Sequence, residues 1–229
     1  MGGGTVFVPA LTYVAGWDIK EAVAASFVII VFSSLTGTIR NARSESPVDW
    51  RTAALLASTV APSSLIGVAI SRVSPSVVVE VAFAIVLLGL AYLTARGRHT
   101  PSNGAKRMPL ALVLLAGVGV GALSGLVGVG GGALMVPLMV FALGLTTKRA
   151  ISTSLAIVLF TGVVASVGYI ATGFRDLSSL PPLIVGSMVG ALVGVRLREL
   201  LPERIVRIGF AAFMVVVALD LLGGAAGIL

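Results

Sequence analysis

Seven stretches of this sequence, residues 22–39, 52–70, 77–95, 109–127, 150–172, 180–197 and 204–222, are apolar runs. Each is close to the roughly 20 residues that a helix needs to cross a bilayer. No other feature limits the fold as much. In hydrocarbon every backbone amide and carbonyl must be satisfied within the protein, and a helix does this inside one segment. The predicted class is all-α, a polytopic helix bundle embedded in lipid. Composition agrees: 57% of the 229 residues are hydrophobic and 11% charged, against roughly a quarter charged in a soluble domain.

Two further runs, 4–16 and 132–146, are too short to span, and each follows a cluster of glycines. The second cluster lies in Gly125-Leu126-Val127-Gly128-Val129-Gly130-Gly131-Gly132-Ala133-Leu134-Met135-Val136-Pro137, and the first in Gly2-Gly3-Gly4-Thr5-Val6-Phe7-Val8-Pro9. Three successive glycines after a helix break it and let other atoms approach the backbone closely. A helix restarting at Ala133 offers free N–H groups to whatever occupies the break. Unpaired backbone at membrane depth is tolerated only where protein buries it or a cavity adjoins it. Both runs are therefore predicted to wall a permeation site. The competing reading is that the glycines only allow helices to pack closely, as is expected of the small residues Gly117, Gly119, Gly121 and Ser124 and of Gly186, Gly190 and Gly194, which recur at close intervals.

The two clusters belong to an internal repeat. A shift of 128 pairs Gly2, Gly3, Gly4, Val8, Pro9, Gly16, Lys20, Ala22 and Ser26 with identical residues at 130–154. After one deletion, a shift of 127 pairs Gly67 with Gly194, Pro75 with Pro202 and Phe83 with Phe210. The expected organisation is a first repeat at 1–95, a polar linker at 96–108 and a second repeat at 109–229 that opens with an added helix. The first copy lacks that helix, and Met1 stands where Val129 stands, so the reading frame is expected to open upstream. No cleaved signal is expected, because the motif starts at the second residue.

Charge sets the orientation. The net +7 falls in short gaps between apolar runs, as the positive-inside rule requires. With the basic linker inside, loops 40–51 and 196–204 and the Lys148-Arg149 turn are inside as well. Loops 17–20, 71–76 and 173–179 are then outside. Matched loops of the two halves fall on opposite sides, so the repeats are predicted to be inverted, with glycine-broken half-helices, as in many secondary transporters.

Other classes are poorly served. No clustered basic face suggests nucleic acid. The chain has no cysteine and one histidine, His99, in the polar linker. No metal site and no cofactor are expected, since even a catalytic zinc needs three protein ligands. The spans carry no nucleophile–base pair, so an enzyme is not expected.

With Gly128-Val129-Gly130-Gly131-Gly132 leading to Val136-Pro137, Lys148-Arg149-Ala150-Ile151-Ser152-Thr153-Ser154 downstream, and Val48-Asp49-Trp50-Arg51 before a glycine-bearing helix, nearly the whole chain resembles the sulfite exporter TauE/SafE family of membrane permeases. The resemblance implies export of sulfite or small organosulfonates, such as sulfoacetate, across a prokaryotic cell membrane. It also implies an ion gradient, of protons or sodium, as driving force. The alternative is a membrane scaffold or assembly partner that transports nothing. Oligomeric state is left open, a homo-oligomer included.

A small oxyanion is suited by backbone N–H groups at a helix N-terminus. Gly2, Gly3 and Gly4, with Gly130, Gly131 and Gly132, are the candidate donors. Ser26 and Ser154 occupy matched positions and, with Thr153 and the adjacent Ser152, could add hydroxyls without burying a charge. The alternative is that they bond to the preceding turn. Lys20, Lys148 and Arg40 are candidates for the pathway mouths, or else interfacial anchors. Pro9 and Pro137 are expected to kink their half-helices. Glu80 and Asp220 are the carboxylates within spans and so candidates for carrying a proton. Trp17 and Trp50 are expected at the headgroup level.

Overall fold

The computed structural model describes residues 4–42, 47–96, 108–173, 180–187 and 203–225, and among them there is helix and no strand. Helix α1 is Gly4–Pro9 and passes into a π-helical turn, Ala10–Val14. It is followed by α2 (Ile19–Ala42), α3 (Trp50–Val73) and α4 (Ser76–Arg96). The second half has α5 (Leu110–Val127), α6 (Gly132–Leu143), α7 (Thr147–Ala171), α8 (residues 180–187) and α9 (Glu203–Ala225). Helices α2, α3, α4, α5 and α7 are long and apolar enough to cross a membrane, whereas α1 with its extension and α6 are short.

Local chemistry sets the ends. The Asp49 side chain accepts from the Thr52 amide and caps α3, and Thr146 caps α7 through the Arg149 amide. Gly128 and Gly144 close α5 and α6 in the left-handed conformation. Pro9 has no amide to donate, and the helix widens into the π-turn directly after it. Pro137, its repeat counterpart, sits inside α6, which stays α-helical through it.

Element starts follow the repeat: Gly132 begins α6 as Gly4 begins α1, and Thr147 begins α7 as Ile19 begins α2, each 128 positions on. Glu203 begins α9 as Ser76 begins α4, 127 positions on. Gly16 and Gly144, also 128 apart, both have positive φ.

The principal packing partners are α3 with α5, α2 with α7, α4 with α9 and α3 with α7. Gly37 of α2 faces Leu155, while Gly162 of α7 faces Phe27 and Val31, so α2 and α7 run antiparallel. Helices α3 and α5 run parallel. There Gly117 meets Thr59 and Val60, Gly121 meets Val60 and Ser63, and Gly125 meets the Ser64 backbone. Gly67 of α3 reaches the backbone of Ala122, Gly125 and Leu126 in return. A Cβ at Gly121, Gly125 or Gly67 would collide with the facing helix's backbone. Lipid provides little hydrophobic drive between helices, so contact of this closeness supplies the packing. Gly119, expected to serve the same purpose, faces open space among the described residues; two positions from Gly117 and Gly121, it points off the interface.

Contacts between loops define two ends. At one, Arg149 Nη2 lies 3.3 Å from Asp49 Oδ2, and the Met108 amide donates to the Ala142 carbonyl at 3.1 Å. At the other, Lys20 Nζ donates to the Ser74 carbonyl and Ser76 Oγ to Asp18 Oδ2. Large apolar side chains such as Ile85, Leu115, Val167, Val216 and Leu219 are exposed on the outside, where a bilayer would cover them.

Candidate functional site: the glycine break between α5 and α6

The break, residues 128–131, lies inside the bundle. Gly128 approaches Ser26 and Val23 of α2, and Gly130 approaches Ile30 of α2 and Val158 of α7. Both helices are at mid-length there, Ile30 being the twelfth of the 24 residues of α2. Gly128, Gly130 and Gly131 have φ of 78°, 75° and 71°. An L-residue with a side chain pays roughly 1–2 kcal/mol for each such position. The chain therefore turns from α5 into α6 on glycines that are needed for conformation, and all of residues 128–132 are buried.

The first glycine cluster meets the second. A Cβ on Gly4 would collide with the Gly128 carbonyl and lie 2.7 Å from Val129 Cα. Gly2 and Gly3 fall outside the described residues. Around the break the space is filled: Val158 side-chain atoms stand 3.2 Å from where a Cβ on Gly130 would be and 2.6 Å from one on Gly132. Val158 and Ile30 thus line the break with hydrocarbon at Gly130 and Gly132.

The two sides of the break are treated differently. A helix leaves its last carbonyls and first amides without internal partners. At the end of α5 two of the last four carbonyls, those of Ser124 and Gly125, have partners. Ser124 O accepts from the Gly128 amide at 2.8 Å, and Gly125 O accepts from Tyr169 Oη of α7 at 2.8 Å. Ser26 Oγ shares its proton between the carbonyls of Val23 (2.7 Å) and Gly128 (3.0 Å). At the start of α6 the Leu134 and Met135 amides donate to Gly131 O. The amides of Gly132 and Ala133 have no partner among the described residues, and no side chain caps Gly131. These donors lie in a buried place at the positive end of a helix dipole.

The other candidates are distributed as follows. Ser154 donates to Ile151 O at 2.8 Å, and its Oγ is 3.9 Å from where a Cβ on Gly132 would be, so it borders the break. Thr153 does not: its Oγ1 accepts the Asp49 amide at 3.0 Å, tying the start of α7 to that of α3. Ser152 bonds back to Lys148 O. Lys20 and Lys148 begin antiparallel helices and lie at opposite ends, Lys20 held by Ser74 O and Lys148 exposed. Arg40 is exposed in the last turn of α2. Glu80 and Asp220 both lie beside Tyr13, away from the break. Trp50 is exposed at the start of α3, and Trp17 packs against the core.

Sequence reasoning missed Tyr169, which stacks on Phe27 with ring centroids 5.9 Å apart and reaches the end of α5. Its repeat position is Asn41, so the pairing of halves gave no signal. It also treated Ser124 as a packing residue, whereas its hydroxyl is buried beside Gly131.

Comparison with known proteins points the same way as the geometry. The sequence profile of the family described as sulfite exporter TauE/SafE matches residues 1–221. The chain is 28% identical to the probable membrane transporter protein YunE of Bacillus subtilis, over 85% of this chain and 80% of that protein. It is 25% identical to the probable membrane transporter protein YdhB of the same organism, over 90% and 86%. A shorter stretch, 42% of this chain and 22% of the other, is 33% identical to sulfite exporter TauE/SafE family protein 5 of Arabidopsis thaliana. No solved structure matches. With several apolar helices, an open helix N-terminus buried at mid-bundle and a profile match along almost its whole length, the chain belongs to the sulfite exporter TauE/SafE family of multi-pass membrane transporters.

Proposed function

We propose that this transporter exports a small sulfur oxyanion or organosulfonate, sulfite or a sulfoacetate-like anion, and that the anion binds in the break between α5 and α6. One observation carries the reading: at the buried start of α6 the amides of Gly132 and Ala133 have no partner among the described residues. Such a place favours an acceptor and rejects a cation. Gly4, packed on Gly128, extends the same wall.

In the same reading the halves are inverted repeats that rock about the break, each conformation opening it to one side. The antiparallel course of α2 and α7, and the matched starts of α1 with α6 and α4 with α9, support this. The buried break corresponds to a state closed to both sides. Lys20 and Lys148, at opposite ends, attract the anion to each mouth. A proton or sodium gradient across the plasma membrane of a prokaryotic cell drives the cycle.

The test is flux. Purified protein in vesicles should release loaded sulfite or sulfoacetate in a saturable manner, and should be stabilised by the same anions and less by acetate or chloride. Ligand that binds the folded state raises its melting temperature by mass action. Vesicles as tight as protein-free ones to every anion, with no anion raising the melting temperature, would favour a scaffold and end the proposal.

A further inference from the structure

Many helix hydroxyls in this protein turn back on their own helix. Ser33, Ser34, Ser58, Ser63, Ser64 and Ser154 each donate to the carbonyl three residues earlier, which is the ordinary fate of serine in an apolar helix. Ser124 differs. It is 2% exposed, and its Oγ is buried without a hydrogen-bond partner. A buried hydroxyl left unsatisfied is costly and calls for a reason.

The position of Ser124 supplies one. Its Oγ is 3.6 Å from the point where a Cβ on Gly131 would stand, and its Cβ 3.5 Å from that point, with Val120 Cγ1 at the same distance. Gly131 is the N-cap of α6 and carries no capping side chain. In soluble helices a Ser, Thr, Asp or Asn at that position satisfies the first amides. Here a glycine vacates the cap, the Gly132 and Ala133 amides stay open, and a hydroxyl from the preceding helix lies against the vacated place.

We infer that Ser124 is a substrate-binding residue, donating its hydroxyl proton to one oxygen of a sulfite or sulfonate head whose other oxygens take the Gly132 and Ala133 amides. Three donors from two directions suit a three-oxygen head on a tetrahedral or pyramidal sulfur. A planar carboxylate has two oxygens and leaves one donor unmet. A halide, which offers a single acceptor atom, leaves the geometry unread. This rests on the proposal that the break binds the anion and adds the residue that selects the head group.

The test is Ser124→Ala in the full chain, measured by sulfite and sulfoacetate titration alongside wild type and Gly131→Leu. The alanine removes a hydroxyl that bonds nothing among the described residues, so the ligand-free melting temperature should be unchanged or higher. A hydrogen bond to a charged group is strong enough that affinity for both anions should fall about tenfold or more. The preference for sulfoacetate over acetate should shrink along with it. Two results would overturn the assignment: wild-type affinity in Ser124→Ala, or a lower ligand-free melting temperature, which would put the hydroxyl to structural use. Loss of binding in Gly131→Leu with none in Ser124→Ala would reject Ser124 alone. Wild type indifferent to every anion would reject the binding site as a whole.

Discussion

Two glycine-rich stretches adjoin in the sequence and use glycine for opposite purposes. From Gly117 to Gly125 the glycines are helical, and at Gly117, Gly121 and Gly125, four residues apart, the missing side chains let α5 rest against α3. From Gly128 to Gly131 three of four residues have positive φ, and glycine is needed for the conformation itself. The first stretch holds the bundle together; the second opens a helix end inside it. A small residue such as alanine might be thought equivalent in both, but each stretch excludes it on different grounds. A Cβ at Gly125 strikes Ser64 O, whereas one at Gly131 finds ordinary contact distances and is excluded by backbone conformation alone.

That contrast can be broken by substitution. Gly125→Leu should be the most damaging, since backbone facing backbone cannot move aside. It should cost about 3 kcal/mol or more, read as failure to recover folded protein from membranes. Recovery of a stable Gly125→Leu protein would mean that α3 and α5 are not in direct contact. Gly130→Ala should cost roughly 1–2 kcal/mol through its left-handed backbone, with Val158 Cγ1 yielding from 3.2 Å. It should fold and lose transport, and a normal melting temperature would show that φ is not held positive. At the other extreme, Gly119→Ala lies in the interior of α5 and faces open space. It should stabilise by about 0.5–1 kcal/mol with transport intact, and a loss of stability there would reveal a partner outside the described residues.

Between the two ends of the molecule, Asp49→Asn offers a smaller refinement. Asparagine caps a helix about as well as aspartate, so the variant isolates the pair with Arg149. At 51% and 23% side-chain exposure for Arg149 and Asp49 the pair is screened, and its loss should cost less than about 1 kcal/mol. The observable is a small drop in melting temperature that vanishes in high salt. A large, salt-independent drop would place the pair in a drier setting than its exposure indicates.

Much of the architecture could be read from the chain. Apolar run length located the five helices long enough to span among the described residues, while most of the run at 180–197 lies outside them and the run at 204–222 falls in α9; the two short runs became α1 with its π-turn and α6. The internal repeat foresaw the matched starts Gly4 with Gly132 and Ile19 with Thr147. The assignment of glycines to site or packing could not be read, because both uses have the same composition and differ in φ and in what stands opposite. The expectation for Gly119 failed for that reason, a four-residue spacing putting Gly117, Gly121 and Gly125 on α3 and Gly119 elsewhere. Thr153 was grouped with Ser154 by adjacency, yet neighbours on a helix point about 100° apart. One borders the break and the other holds Asp49. Tyr169 and Ser124 act across helices, and such pairings arise only on folding. Likewise the motifs around Asp49 and Arg149, 100 positions apart in sequence, become a single contact.

The central claim is that the open amides after Gly131 receive the transported anion. Its most direct test is sulfite release from vesicles by Gly131→Leu, compared with wild type at equal insertion. The account predicts that the variant inserts and folds but releases no sulfite beyond the rate of protein-free vesicles, because the leucine occupies the place in front of Ser124 and the first turn of α6. Release by Gly131→Leu at the wild-type rate would mean that the anion crosses elsewhere.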